Sequence, residues 1–206
     1  MKDFNQARTN MVKNQVMTNN VFNHNILNAM QEVPRHEFIE GKWREMAYLD
    51  TRLPLDKNRK MLEPAVFARM LDVCGISKDD TVLDIACGSG YSTAIIAKLA
   101  KKVIGLESIN SLAIKAADYV KREGLNNVAI KNGNLLEGAP ENAPYDIISI
   151  NGALNKVPDE LLMQLKNKGK LVFIEQSGGI MKAVKYTLIN GSYNKVELFD
   201  AYAELL

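Results

Sequence analysis

The chain has 206 residues, 47% of them hydrophobic and 24% charged, with a formal net charge of +2. That length suits one domain with a full core, and so small a charge gives no argument for nucleic acid as a partner. No run approaches the ~20 apolar residues of a membrane span, and two cysteines (Cys74, Cys87) and two histidines (His24, His36) form neither a disulfide framework nor a metal-ligand spacing.

The N-terminal stretch Met1-Lys2-Asp3-Phe4-Asn5-Gln6 has no apolar signal region, so a cytoplasmic protein is expected. Phe4 to Thr18 reads as a helix with Ala7, Met11, Val12, Gln15 and Val16 along one side. Asn23 suits the N-cap of a second helix through Met30, with Ile26, Leu27 and Met30 as its apolar face. Pro34 interrupts it. Phe38 to Pro64 lacks clear periodicity and reads as loop, a length expected only where a segment is functional or packed over a site. Glu63 to Val73 is a helix, opened by Pro64 and closed near Gly75.

From Asp79 the pattern alternates strand and helix. Thr81-Val82-Leu83-Asp84-Ile85 is a strand, followed by Gly88-Ser89-Gly90 and a helix from Tyr91 to about Ala100. Lys102 to Glu107 is a strand, Asn110 to Glu123 a helix ended by Gly124, and Val128 to Lys131 a strand. Tyr145 to Asn151 is a buried strand, Pro158 to Leu165 a short helix, and Lys170 to Glu175 a strand. Ala183 to Ile189 and Tyr193 to Phe199 flank Asn190-Gly191, a strong hairpin signal. The expected fold is α/β: a doubly wound, mostly parallel seven-stranded sheet with a C-terminal antiparallel hairpin and N-terminal helices. Residues 1–206 form one domain, with 1–78 a helical, substrate-side segment and 79–206 the sheet core. The helices before Asp79 are expected to cap the C-terminal edge of the sheet, where ligands bind in such folds.

Gly88 and Gly90 allow a sharp turn and close approach of a ligand to the main chain, and the helix that follows offers unpaired N–H groups. The dinucleotide fingerprint wants Gly or Ala where this chain has Thr93. Asp84, at the strand end, would repel a pyrophosphate but suits the sulfonium and ammonium of S-adenosylmethionine (SAM). Glu107, at the end of the next strand, is placed to accept hydrogen bonds from both ribose hydroxyls. Cys87 could be a reactive thiol, or simply a small residue beside the cofactor.

Several segments resemble the protein-L-isoaspartate (D-aspartate) O-methyltransferase family over nearly the whole chain. They are Ala7-Arg8, Met11-Val12 and Gln15; Val33-Pro34-Arg35-His36-Glu37-Phe38; Ala47-Tyr48-Leu49-Asp50; Leu53-Pro54-Leu55; Gly88-Ser89-Gly90-Tyr91 with Glu107; Ala143-Pro144-Tyr145-Asp146; and Gln164-Leu165-Lys166 with Gly169-Lys170-Leu171-Val172. The resemblance implies a Rossmann-like, SAM-dependent methyltransferase that methylates the carboxylate of L-isoaspartyl or D-aspartyl residues in damaged proteins, as repair. It implies a peptide or protein substrate and a monomeric enzyme. It puts the cofactor on Asp84, Ala86, Gly88, Ser89, Gly90 and Tyr91, on Glu107 and Ser108, on Asn134 and Leu135, and on Asn151.

The departures fall on the acceptor side. The family's Gly-Gln-Thr-Ile-Ser-Gln-Pro stretch is here Asn58-Arg59-Lys60-Met61-Leu62-Glu63-Pro64. Leu62 and Lys60 stand where the family has its serine and threonine, and an apolar Leu62 cannot donate a hydrogen bond to a carboxylate. Asn134 replaces the acid that holds the adenine amino group, and its carbonyl oxygen can still accept. Arg59, Lys57 and Lys60 make the loop cationic, so they either attract a peptide carboxylate or form a solvated surface. His36 is expected to buttress the N-terminal segment, and Trp43 to lie in the core or a lid. Two alternatives stand beside isoaspartyl methylation: a SAM-dependent methyltransferase with another acceptor, and a non-catalytic SAM-binding protein.

Overall fold

Asp3 opens the first helix, its carboxylate accepting the N–H groups of Asn5 and Gln6. The computed structural model describes residues 3–206; Met1 and Lys2, which begin the polar N-terminal stretch, lie outside the described residues. Helix α1 (Phe4–Met11) continues through a π turn at Val12–Val16 and a 3₁₀ turn at Met17–Asn19. Asn23 caps α2 (His24–Glu32) by accepting the N–H of Asn25, as its position predicts.

The stretch from Phe38 to Pro64 differs from the expected loop. It contains a 3₁₀ segment at Gly41–Met46 and a hairpin of β1 (Leu53–Asp56) and β2 (Arg59–Met61). Leu53 pairs with Met61 and Pro54 with Lys60. Strands of four and three residues, one holding a proline, are too short for an alternation to show. Helix α3 (Pro64–Asp72) follows, with Pro64 in its first turn.

The main sheet contains β3 (Thr81–Ile85), β4 (Lys102–Glu107), β5 (Val128–Asn132), β6 (Tyr145–Leu154), β7 (Leu165–Ser177), β8 (Ile180–Ile189) and β9 (Ser192–Asp200). Between them run α4 (Tyr91–Ala97), α5 (Asn110–Arg122) and the short α6 (Asp159–Leu162). The strand order is β5-β4-β3-β6-β7-β8-β9. The first five are parallel, and β8 and β9 return antiparallel. Asn190 and Gly191 both have positive φ, at 49° and 85°, as a twisted hairpin turn requires. The expected helix from Pro158 to Leu165 stops after Leu162, because Leu165 is already paired with Tyr145 as the start of β7.

Val82, Val103, Ile147 and Val172 face one core, shared with α1 to α4. Leu83, Ile85, Ile104, Ile148 and Leu171 face another, which includes Leu161 and Leu162 of α6. Burial on both faces explains the near-continuous apolar strands. The N-terminal helices therefore flank a face of the sheet and do not cap its C-terminal edge. Phe38 and the β1–β2 hairpin cover that edge instead: the Phe38 carbonyl accepts from Ser89 and Leu55 lies against Gly88.

Candidate functional site

The chain turns from β3 into α4 through three residues with positive φ: Ala86 at 56°, Gly88 at 58° and Gly90 at 99°. At Gly90 a Cβ would stand 3.1 Å from the Cα and Cβ of Ala116, so only glycine lets α5 pack this closely. Ala86 adopts the same left-handed region with a side chain, local strain of the kind stored at functional sites. The strand order reverses between β4 and β6 on either side of β3, the switch point at which open α/β sheets bind ligands.

Two buried acids stand at this point. Glu107, at the end of β4, accepts the Gly88 N–H at 2.8 Å on one oxygen and the Ile109 N–H at 3.0 Å on the other. Asp84 accepts Ser92 Oγ at 2.7 Å, Thr93 Oγ1 at 2.6 Å and Asn151 Nδ2 at 2.7 Å. Between Ser149 and Ala153, β6 shifts register against β7, and this irregularity includes Asn151. The Asn151 amide also donates to the Ile85 carbonyl at 3.1 Å, which fixes its orientation and leaves Oδ1 without a partner.

Burial pushes the Asp84 carboxyl up to about 6 from an ordinary 3.8; its hydroxyl and amide donors pull it down, and the charge of Glu107 pushes it further up. The folded value is the raised one, so this group's contribution to stability is complete below about pH 4. It is lost as pH rises through about 6, by roughly 3 kcal/mol. Asp84→Asn has no such titration. Urea unfolding of both proteins at pH 4 and pH 7 should show the variant gaining on the native chain by about that amount; a gap unchanged between the two pH values would refute the assignment.

The β1–β2 hairpin lies across the site. Arg59, only 5% exposed, pairs with Glu107 at 3.1 Å and reaches Ser108 Oγ at 3.4 Å. A Cβ on Gly88 would come within 2.5 Å of Leu55 Cδ1, so Leu55 occupies the approach to the loop. Lys60 pairs with Glu204 at 2.5 Å, and Arg52 bridges Glu204 and Glu63, at 3.3 Å each. The C-terminal segment brings Glu204 there by pairing along the end of β6: Ala153 N–H donates to the Glu204 carbonyl at 2.8 Å. Under the hairpin remains a cavity of about 20 Å³, lined on one side by Ala86, Cys87, Tyr91 and Asn151 and on the other by Leu55 and Leu62.

The other residues singled out by sequence divide clearly. Tyr91 is buried at the mouth of α4, 5.4 Å from the ring of Phe38. Ser89 is buried, its hydroxyl spent on the Phe38 carbonyl. Asn134 turns within its own loop: its oxygen accepts the Leu136 N–H at 3.0 Å, and its amide donates to Glu137 at 2.8 Å. Leu135 belongs to the core. Leu62 is buried, and only its carbonyl makes a polar contact, accepting from Arg35 at 2.6 Å. Arg59 and Lys60 sit in ion pairs with Glu107 and Glu204, and Lys57 is exposed on the hairpin turn.

Cys87 is buried, and its thiol is pushed well above the ordinary range by that burial and by Asp84 and Glu107, so it holds no reactive thiolate. His36 stacks on Phe4 at 4.1 Å and contacts the Tyr48 hydroxyl at 2.7 Å, the expected buttress. Trp43 is not a core residue: at 36% exposure it lines a surface groove with Phe38, Pro54 and Leu55. Sequence reasoning singles out Thr93 only as a break in the dinucleotide fingerprint and passes over Ser92, though two hydroxyls in the first turn after a Gly-x-Gly loop are a readable signal for donors to Asp84. It also passes over Glu204, which carries no local signal.

The model of the protein-L-isoaspartate(D-aspartate) O-methyltransferase family matches residues 6–193. Protein-L-isoaspartate O-methyltransferase 1 of Polaromonas sp. is 41% identical over 152 residues, 74% of this chain and 64% of that protein, so the chain spans under two thirds of that relative's length. Protein-L-isoaspartate O-methyltransferase of Syntrophus aciditrophicus is 35% identical over 197 residues, 96% of this chain and 90% of that protein. Among solved structures, a putative protein-L-isoaspartate O-methyltransferase from Plasmodium falciparum, in complex with S-adenosyl-L-homocysteine (SAH), superposes with a TM-score of 0.84. It covers 100% of this chain and 99% of its own at 22% identity. A protein-L-isoaspartate O-methyltransferase structure gives 0.85, covering 98% of this chain and 65% of its own at 21% identity. At these identities both are likenesses of fold.

Proposed function

The chain belongs to the protein-L-isoaspartate (D-aspartate) O-methyltransferase family, and from that premise we propose that it transfers a methyl group from SAM to the carboxylate of L-isoaspartyl or D-aspartyl residues in proteins. The family match over residues 6–193 carries this reading. The proposal includes a repair role in the cytoplasm and action as a single-domain monomer on protein substrates. No helix among the described residues is long and apolar enough to cross a membrane.

The donor set suits SAM. Glu107, once released by Arg59, would accept the ribose hydroxyls, with the Ser108 hydroxyl beside it. Gly88 leaves a cradle that a Cβ would fill, now taken by the movable Leu55 side chain. Asp84 is buried with its three donors, and Asn151 stands between it and the cavity. Ala86, Gly90 and Tyr91 complete the loop, and Leu135 and Asn134 lie just past β5. The hairpin fills this space, so entry requires Arg59 to leave Glu107 and Leu55 to leave Gly88.

When bound, SAM supplies an electrophilic methyl group on a sulfonium. The acceptor carboxylate is ionised at pH 7, so the chain has no proton to remove. What the protein contributes is alignment of the carboxylate with the methyl carbon and exclusion of water. Leu62 and Met61, at the closed wall of the cavity, serve the second task.

Incubation with methyl-labelled SAM and an isoaspartyl peptide should give base-labile label on that peptide and none on its ordinary aspartyl isomer. Absence of label from protein that binds SAH would overturn the assignment of the acceptor. Absence of SAH binding at millimolar ligand would overturn the methyltransferase reading itself.

A further inference from the structure

Arg35 is fully buried, although charged residues are almost never so unless paired. Two of its three nitrogens are used: Nε donates to the Ala47 carbonyl at 2.9 Å and Nη2 to the Leu62 carbonyl at 2.6 Å. Nη1 has no partner. The guanidinium carbon stands 4.8 Å from the ring centre of Tyr91. No carboxylate lies within ion-pair distance of it among the described residues. Glu63 acts on it only at longer range, and Glu63 is itself paired with Arg52. Desolvation accordingly disfavours the charged form of Arg35.

Arg35 lines the same cavity as Ala86, Tyr91 and Asn151. The Tyr91 hydroxyl faces Arg35, and one more buried polar atom of that lining, Asn151 Oδ1, lacks a partner. A buried guanidinium with no carboxylate against it, beside an unpaired carbonyl acceptor, is costly unless a water or a ligand completes the site. As it stands the cavity has room for about one water molecule. Its outer wall, Leu55, Met61 and Leu62, comes from the hairpin and the residue that follows it, so displacement of that wall enlarges it.

We propose that Arg35 is the carboxylate receptor of this site, its Nη1, which has no carboxylate partner among the described residues, donating to a ligand carboxylate that enters the cavity. The assignment rests on the methyltransferase reading, and deepens it by supplying a donor where Leu62 offers none. Two carboxylates have the required chemistry: the amino-acid end of the methyl donor, whose ammonium would meet Asn151 Oδ1, and the isoaspartyl α-carboxylate of the acceptor. Charge-assisted hydrogen bonds from arginine to either are the strong kind.

The test compares SAH with its α-carboxamide, and measures the KM for an isoaspartyl peptide, in the native protein and in Arg35→Met. If the donor's carboxylate is the ligand, the native protein prefers SAH to the carboxamide at least tenfold by calorimetry, and the variant loses that preference. If the acceptor's carboxylate is the ligand, the variant keeps its affinity for SAH while the peptide KM rises at least tenfold. Either result supports the receptor. A folded variant with both the SAH preference and the peptide KM unchanged overturns it.

Should Arg35→Met fail to fold, the guanidinium N–H resonance of Arg35 in the native protein replaces it. A shift on adding SAH but not the carboxamide, or on adding peptide, supports the assignment; no shift with any of them overturns it. Native protein that binds neither SAH nor peptide overturns the functional reading, and the receptor with it.

Discussion

Glu107→Gln is expected to weaken SAH binding about 100-fold and to destabilise the free protein by roughly 3–5 kcal/mol. The first figure follows from two hydrogen bonds to a charged group at roughly 1.5–3 kcal/mol each, less what a neutral amide retains. The second follows from what Glu107 does without ligand. It accepts two backbone N–H groups, from Gly88 and Ile109, and is the counter-charge of the buried Arg59 guanidinium. A glutamine has only one accepting end, so one of those N–H groups faces an amide donor. Arg59 is left as a buried cation without a partner, and removing one member of such a pair is far more damaging than replacing both. Calorimetry with SAH and urea unfolding of the ligand-free protein check the two halves. A variant within about 1 kcal/mol of the native stability would show that Arg59 finds another partner or leaves the site at little cost.

Much of this site was legible because it rests on local rules. Parallel strands buried on both faces read as apolar runs, so β3, β4 and the acids at their ends, Asp84 and Glu107, could be placed from residue order alone. Gly88 and Gly90 showed where the backbone must turn, and Asn190-Gly191 marked the final hairpin through turn chemistry. What stayed hidden depends on partners distant in sequence. Nothing near Arg59 reveals that its guanidinium pairs with Glu107 on β4, or that Lys60 meets Glu204 at the far end of the chain. Sequence therefore offers only two readings of them, as attractors of a peptide carboxylate or as a solvated surface. The donors to Asp84 are hidden in the same way: Ser92 and Thr93 lie nearby in sequence, but Asn151 comes from β6. Arg35 carries a family signature, but its Nη1 is left facing the Tyr91 hydroxyl and the cavity only because Ala47 and Leu62 take the other two nitrogens.

Arg59→Ala is expected to act in the opposite sense and tighten SAH binding, by about 10- to 30-fold. Arg59 and the ligand compete for one carboxylate. While the hairpin is down, Arg59 holds Glu107 and Leu55 covers Gly88. Apparent affinity is then the intrinsic affinity reduced by the fraction of molecules with the hairpin lifted. Removing a pair worth about 1.5–2 kcal/mol raises that fraction by the stated factor. Glu107 tolerates the loss because its two backbone donors remain, so the variant folds where Glu107→Gln suffers. Hydrogen exchange provides an independent check: in ligand-free Arg59→Ala the amides of Leu53–Met61 should exchange about tenfold faster than in the native chain, while those of β3 and β4 keep their protection. The sign of the affinity change decides the matter. If Arg59→Ala binds SAH more weakly, Arg59 belongs to the bound state as a ligand contact; if it binds more tightly, the ion pair with Glu107 is what SAM must displace to enter.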